Sequence, residues 1–514
     1  MSTRPNILLL FSDQHHAKVL GHKGHPNVLT PHIDQLANEG VRFDNAITQN
    51  PICTPSRTCW LSGQYCHNHG YYGLSGPNPG GLPTLFGHLG KHGYRTGAVG
   101  KIHCPEYWVE DDVDFFVETT GSSISGRSNS YAEYLEKRSL TDLEDHGAMQ
   151  EFGSKGRQTC DARPSKVSYE DGQEGYLARA SIDFMKKCSE EGKPFFLQAN
   201  FPKPHQCYTP AQQFWDLYKE DELVLPPNAD HNLEGKAPHF RSTVLDRWRN
   251  NSWQLFEPKT FEAGRLRKLH GYLGNVSHVD YAVGELIRFL DEAGIADNTI
   301  VIYSSDHGDY AAEFGIMEKA PGICSDAITR VPFIWRWPGH FPAGKMMTEL
   351  VESIDFATTI CALTNVEPME TGDGKDISHL LHGQAGEVRE VAVTEFAFSK
   401  SVRKGSYRFV HYPRGMFSRF GKEWQDRGFA ELYNLETDPW EMENLAFNAN
   451  YADKVQELRT ELIDWLVTTT RPRTVLRLPG KLTSQRKWRY HNPVNFDGKY
   501  NPNRIGELNT LNYL

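Results

Sequence analysis

No stretch of this 514-residue chain is apolar for long enough to cross a bilayer, so a membrane-spanning helix is not expected. The amino terminus, MSTRPNILLLFSDQHH, has an apolar run of only Ile7 to Phe11 and no small-residue cleavage site, which speaks against a secretory signal. Positive charge is short as well. The 55 Lys and Arg stand against 65 Asp and Glu, a formal charge of -10, which leaves no basic footprint for nucleic acid. A long polyanion held in a basic groove is disfavoured for the same reason. Cysteine is sparse and odd in number. Nine thiols scattered over this length do not make a disulfide framework, and none forms a C-x-x-C pair. A reducing, cytoplasmic setting is expected. The chain shows no internal repeat and no low-complexity tract.

What is present is an ordinary globular composition, 39% hydrophobic and 23% charged. The length predicts two domains, or one large domain with an appendage. Asn6 to Ser12 is almost continuously apolar and reads as a buried strand. Helical TPHIDQLANEG, strand-like VRFDNAI, helical TLFGHLGKHG and the strand and loop of YRTGAVGKIH follow it. Further on, helix EGYLARASIDFMKKCSEEG precedes strand PFFLQANF, and the long helix HGYLGNVSHVDYAVGELIRFLDEAG precedes strand TIVIYSSDHGD. Strand and helix alternate, which predicts an α/β fold with a large, mostly parallel sheet sandwiched by helices. From about His379 the segments EVAVTEFAF, SVRKGSYRFVHYP and FAELYNLETDP read as antiparallel strands, and NANYADKVQELRTELIDWLVTTT as a helix. The expected division is a catalytic domain over 1–378, a small α+β unit over 379–470 and an extended tail over 471–514. Glu106 to Gly172 and Asp230 to Phe261 are polar and read as long loops near the mouth of a site.

In a sheet of this kind ligands gather beyond the carboxyl ends of strands. Asp13 and Gln14 follow the first strand, and Asp306 with His307 follows a later one. Two carboxylates, an amide oxygen and an imidazole suit a hard divalent cation. Taken alone, each pair reads as a helix cap or a turn. Between them in sequence lies PICTPSRTCWLSG, with Cys53 four residues before Arg57. A thiol phosphatase would need a longer loop between Cys and Arg. A zinc site could draw on Cys53, Cys59, Cys66, His67 and His69, and a plain buried thiol in a turn is the generic reading.

These segments together resemble the formylglycine-dependent sulfatases of the alkaline phosphatase superfamily. PICTPSRTCWLSG resembles their first signature, and GYRTGAVGKIH their second. NILLLFSDQ, SDHGD, EKAPGICSDAITRVP and LYNLETDPWEMENLA are family-like segments in the family's order. Ser62 and Ile102 depart from the usual signatures. The pairs Asp13-Gln14 and Asp306-His307 resemble the branch that holds choline sulfatases and phosphonate monoester hydrolases.

The resemblance implies an alkaline phosphatase-like fold and hydrolysis of a sulfate monoester, or alternatively of a phosphonate monoester or phosphodiester. It implies that a formylglycine-generating enzyme converts Cys53, and that the aldehyde hydrate is the nucleophile. One divalent cation, Ca²⁺ first and Mn²⁺ second, is implied on Asp13, Gln14, Asp306, His307 and the side chain at position 53. Arg57 and Lys101 would hold the nucleophile and offset charge, and His103 would act as base in the second step. His205 and Lys319 would grip the sulfuryl group and protonate the leaving oxygen. Arg330 reads as structural, and His15, His16, His67 and His69 as pocket residues without a role. A small anionic ester is the expected partner, and a dimer or tetramer the expected assembly. The tail, with Trp488, Tyr490, Phe496, Tyr500 and Tyr513 among basic residues, would either pack on a neighbouring subunit or fold back over its own domain.

Overall fold

Strand β1 (Asn6–Asp13) is buried along its whole length, and successive side chains enter different cores. Ile7, Leu9 and Phe11 join one hydrophobic cluster, and Leu8 and Leu10 join the other. A strand covered on both faces needs apolar residues at every position, which is why its sequence shows no alternation. The structure is a computed structural model that describes residues 4–74, 81–105, 107–120, 130–141, 162–243, 261–319, 323–396, 398–417 and 428–471.

Around β1 the chain builds an eight-stranded sheet from β2 (Val41–Ile47), β3 (Arg95–Gly100), β4 (Phe115–Glu118), β5 (Phe195–Pro204), β6 (Thr299–Ser305), β7 (Phe333–Arg336) and β8 (Lys345–Glu352). The spatial order is β4-β3-β5-β1-β6-β7-β2-β8. β7 runs antiparallel to both neighbours, and every other pairing is parallel. The carboxyl ends of β1, β2, β3, β5 and β6 therefore share one edge of the sheet.

Helices α1 (Pro31–Glu39), α2 (Cys53–Ser62), α3 (Gln173–Glu191), α4 (Phe261–Glu292) and α5 (Asp355–Leu363) cover the two faces. α1, α3 and α4 pack on the side of Leu8 and Leu10, while α2 and α5 pack on the side of Ile7 and Phe11. α3 shows why such segments fold as helices. Leu177, Ala178, Phe184, Met185 and Cys188 form one buried stripe, and Gly192 ends the helix with φ +64, a conformation glycine adopts without a Cβ clash. Trp60 of α2 sits fully buried between the rings of Phe11, Phe333 and Phe356. Among the described residues no helix is long and apolar enough to cross a membrane.

The second sheet is antiparallel, with order β12-β11-β10-β9. Its strands are β9 (Ala392–Phe396), β10 (Ser399–Lys404), β11 (Tyr407–His411) and β12 (Ala430–Asn434), and α6 (Ala452–Thr469) lies against them. Val455, Leu458, Leu462 and Trp465 of α6 pack with Val393, Val402, Phe409 and Leu432. The same core takes in Cys59, Tyr65 and Cys66, so the far end of α2 is shared with the carboxyl-terminal unit.

The large mixed sheet and the smaller α+β unit match the fold class expected from sequence. Three local readings change. SVRKGSYRFVHYP is a hairpin that turns between Lys404 and Tyr407, with Gly405 at φ +56, and not one strand. The segment after Glu106 contributes β4 to the sheet edge and a helix, Ser130–Lys137, and is not only loop. Four residues with polar flanks show too few alternations for β4 to register as a strand. Pro238–Thr243, in the second polar segment, is helical, and Phe240 packs on Tyr310 and Phe314. Residues 121–129, 142–161, 244–260 and the expected tail from 472 lie outside the described residues.

Candidate active site

The CTPSR segment is the first turn of α2, not a loop. Ile52 is extended, Cys53 opens the helix, and Gly63 closes it at φ +65. Pro55 falls in the first turn, where a backbone N–H has no helical acceptor, so its ring costs no hydrogen bond. All ten residues of α2 are buried. Ser56 Oγ of α2 and Thr48 Oγ1, just past β2, both donate to the Asp306 carbonyl beyond β6, at 2.6 and 2.8 Å. The nucleophile candidate is thus tied to the strand end that carries Asp306 and His307.

Arg57 is the centre of the charge arrangement, and its side chain is fully buried. Its Nη2 donates to Asp13 Oδ2 at 2.9 Å and its Nε to Asp306 Oδ2 at 3.1 Å. Nη1 donates to the Lys101 carbonyl at 2.8 Å and to Asn200 Oδ1 at 3.1 Å. Every face of the guanidinium is therefore spoken for, as a buried cation requires. Lys101 Nζ adds a second cation 2.8 Å from Asp13 Oδ2. The position of Lys101 depends on Gly100, whose φ is +104 and where a Cβ would lie 2.0 Å from the Asn200 carbonyl oxygen. Gly100→Ala is expected to cost about 2–6 kcal/mol, left-handed strain and overpacking each contributing about 1–3. A denaturant midpoint equal to the parent's would contradict that account.

Asp13, Cys53, Asp306 and His307 each offer one ligand atom, and these atoms lie within 4.8 Å of one another. Cys53 Sγ is 3.2 Å from His307 Nε2 and 3.8 Å from Asp13 Oδ1. His307 Nδ1 donates to the Gly308 carbonyl at 2.8 Å, which leaves Nε2 with the lone pair a metal ligand needs. Burial pushes Asp306 up, and Asp13 pushes it further, against His307 and Arg57. Asp13 itself is held well below the usual carboxylate range: burial raises it, but Lys101, His205, Arg57 and His307 outweigh that together. Burial works against charge on His307 and Lys319, yet Asp306 raises the former and Cys53 with Asp13 the latter. The donor types, the imidazole tautomer and the anionic pull on nearby protons all fit a divalent cation at this spot.

The Cys53 thiol is lifted by burial and by Asp13, but Lys319, Lys101 and His307 together carry it well below its usual range. An anionic atom at position 53 is what these surroundings favour. Gln14 has φ +67, and its backbone N–H donates to Asp306 Oδ1 at 3.0 Å. Its amide oxygen accepts from Lys319 Nζ. His205 follows β5, and its backbone N–H donates to the Asp13 carbonyl at 3.1 Å. Burial pushes the imidazole down to about 3, and Lys101 and Lys319 push the same way. Its Nδ1 donates to the Gln206 carbonyl at 2.7 Å, so the neutral ring presents a lone pair at Nε2. His103 stands two residues past Lys101 at φ +44, with its Nδ1 buried and without a hydrogen-bond partner among the described residues.

Other residues raised by the sequence go elsewhere. Cys59, Cys66 and His69 do come together, with Cys59 Sγ 3.5 Å from Cys66 Sγ and 3.3 Å from His69 Nε2. However, His69 Nδ1 accepts from the Tyr71 N–H at 3.0 Å, so Nε2 carries the hydrogen, the wrong tautomer for a ligand. His67 bonds Glu395 and His16 bonds Glu313. His15 lies between Tyr303 and the Val19 carbonyl, and burial pushes it down to about 4. Arg330 pairs with Asp326 at 2.9 Å.

Asn200 and Asp309 were not foreseen. Asn200 lies inside β5, where an amide reads as an interruption of an apolar run, and nothing in sequence shows that Arg57 reaches it. Asp309 stands three residues past Asp306, and only the folded chain shows that it binds Gln14.

Residues 5–366 match the model of the Sulfatase family, and residues 313–467 match that of the N-sulphoglucosamine sulphohydrolase carboxyl-terminal region. An arylsulfatase of Clostridium perfringens is 27% identical over 482 residues, covering 90% of this chain and 94% of its own. A choline-sulfatase of Rhizobium meliloti is 26% identical over 457 residues, covering 87% of this chain and 83% of its own. Among solved structures, the phosphonate monoester hydrolase of Agrobacterium radiobacter superposes with a TM-score of 0.74 at 20% identity, over 91% of this chain and 96% of that one, a likeness of fold. With the family's match running through the strand ends that bear Asp13, Lys101, His205 and Asp306 and through the helix that opens at Cys53, the chain belongs to the sulfatase family.

Proposed function

We propose that this chain hydrolyses sulfate monoesters, with formylglycine at position 53 as nucleophile and one divalent cation held by Asp13, Gln14, Asp306, His307 and the side chain at 53. The observation that carries the reading is the buried Cys53 set among Asp13, Asp306 and His307 within 4.8 Å, at the N-terminus of a helix. The aldehyde hydrate supplies an oxygen nucleophile and a second hydroxyl for later release of sulfate, and the cation supplies Lewis-acid charge. The oxygen-rich donor set favours Ca²⁺, and the imidazole admits Mn²⁺.

The chain's own residues do the remainder. Arg57 bridges two carboxylates, Asp13 at the end of β1 and Asp306 just past β6. Lys101 counters negative charge beside Asp13. His103, whose Nδ1 has no hydrogen-bond partner among the described residues, takes a proton in the release step on this reading. Lys319 holds its proton firmly and is the donor to the leaving oxygen. His205 enters as a neutral ring and gains charge only as an anionic ester arrives. A formylglycine-generating enzyme belongs to this reading as a partner. A homo-oligomer belongs to it as well, checked by the light-scattering mass.

A second reading, hydrolysis of phosphonate monoesters or phosphodiesters, is favoured by the Asp13-Gln14 and Asp306-His307 pairs. Turnover of a matched aryl sulfate and aryl phosphonate separates the two. The role of Lys319 has its own test. Lys319→Ala should slow an alkyl sulfate by about 10²–10⁴-fold and a nitrophenyl sulfate far less, because a good leaving group needs no proton. Equal losses on both esters would mean that Lys319 supplies charge and no proton.

A further inference from the structure

We propose that Asp309 fixes which end of the Gln14 amide faces the cation centre, and thereby sets cation affinity. The inference rests on the cation reading above. The two corners of a glutamine amide have nearly the same shape, but only the oxygen can ligate a hard cation. Something must therefore choose between them.

Gln14 Nε2 donates to Asp309 Oδ2 at 2.6 Å and to Gln206 Oε1 at 3.3 Å, while Gln14 Oε1 accepts from Lys319 Nζ. A carboxylate can only accept, so Asp309 compels the nitrogen to its own side and the oxygen to the side of Lys319. Asp309 cannot swing away. Its Oδ1 accepts from the backbone N–H groups of Ala311 at 2.6 Å and Glu318 at 2.9 Å, and the residue is fully buried. One oxygen thus holds the segment leading to Lys319, and the other orients Gln14. Asp309 acts through Gln14, as a positioning residue.

This split between two oxygens permits a selective change. Asp309→Asn can keep an oxygen for Ala311 and Glu318, but it sets a donor against Gln14 Nε2. Two donors cannot share a hydrogen bond, so Gln14 loses the close partner that holds its nitrogen away from the cation, and only Lys319 and the longer contact to Gln206 still favour the oxygen-in orientation. Adding Gln14→Glu reverses the polarity of the pair. The new carboxylate accepts from the new amide, keeps its other oxygen toward Lys319, and leaves the summed charge of the pair as in the parent.

The test is calorimetric titration of the chelator-stripped full chain with Ca²⁺ and with Mn²⁺, for the parent, Asp309→Asn and Asp309→Asn/Gln14→Glu. Affinity should fall about 10–100-fold in the single variant, the range for a lost outer-shell partner, and recover in the double. Unchanged affinity in the single variant overturns the inference. So does a double variant as weak as the single, because a residue that only braced the loop would leave both alike. Should the single variant not fold, the double decides alone: parental affinity supports the inference and weakened affinity overturns it. A parent chain that binds neither ion removes the cation reading, and the inference falls with it.

Discussion

Cys53→Ala should lower turnover of an aryl sulfate by on the order of 10⁴-fold or more, the scale of losing a covalent nucleophile. The substitution is a mild one for the fold. Cys53 is 2% exposed, and what a methyl group gives up is the Sγ contact to His307 Nε2 at 3.2 Å and the longer one to Asp13 Oδ1 at 3.8 Å, while the helix backbone keeps its bonds. With the cation stripped from both, the melting temperature should stay near the parent's, so the loss would report chemistry and not unfolding. The companion measurement is peptide mass spectrometry of active parent protein, which should find formylglycine at 53. Full activity in protein that carries only thiol there would end the formylglycine reading. Protein made without the modifying enzyme belongs with the variant, and its activity should be as low.

Cation removal is the second large effect. Chelation should reduce turnover by about 10²–10⁴-fold, since a Lewis acid contributes several kcal/mol at the developing charge. It should also lower the melting temperature, because a cation at about 1,000 times its dissociation constant stabilises the folded chain by about 4 kcal/mol. Asp306→Ala should do the same irreversibly, with added cation restoring neither. The pH dependence has a definite sign. Protons compete with the cation for Asp306, whose carboxyl burial and Asp13 hold above its usual range, so affinity falls as pH falls. Active enzyme with no stoichiometric metal would refute the assignment.

These residues differ in how visible they are before folding. Asp13 and Asp306 each end a run of apolar residues, and a run buried on both faces is the plainest pattern a strand can write. The sheet they belong to is legible for the same reason. Cys53 to Arg57 reads as a turn because Thr54, Pro55 and Ser56 are turn residues, yet proline is equally at home in the first turn of a helix. The contacts decide between these, and contacts across 250 residues leave no local mark. Asp309 is the extreme case. One carboxylate three residues after another looks like solvated charge until Gln14 is seen to depend on it.

Cys53 is 2% exposed, and what encloses it is made late. Asp306 and His307 are synthesised some 250 residues after it, and α6, which shares a core with the far end of α2, later still. If position 53 is oxidised as proposed, the modifying enzyme would meet a residue already enclosed once β6 has docked beside β1. On that reading the opportunity would be a matter of timing on the ribosome. It opens when residue 57 emerges and shuts when the strand ending at Ser305 takes its place.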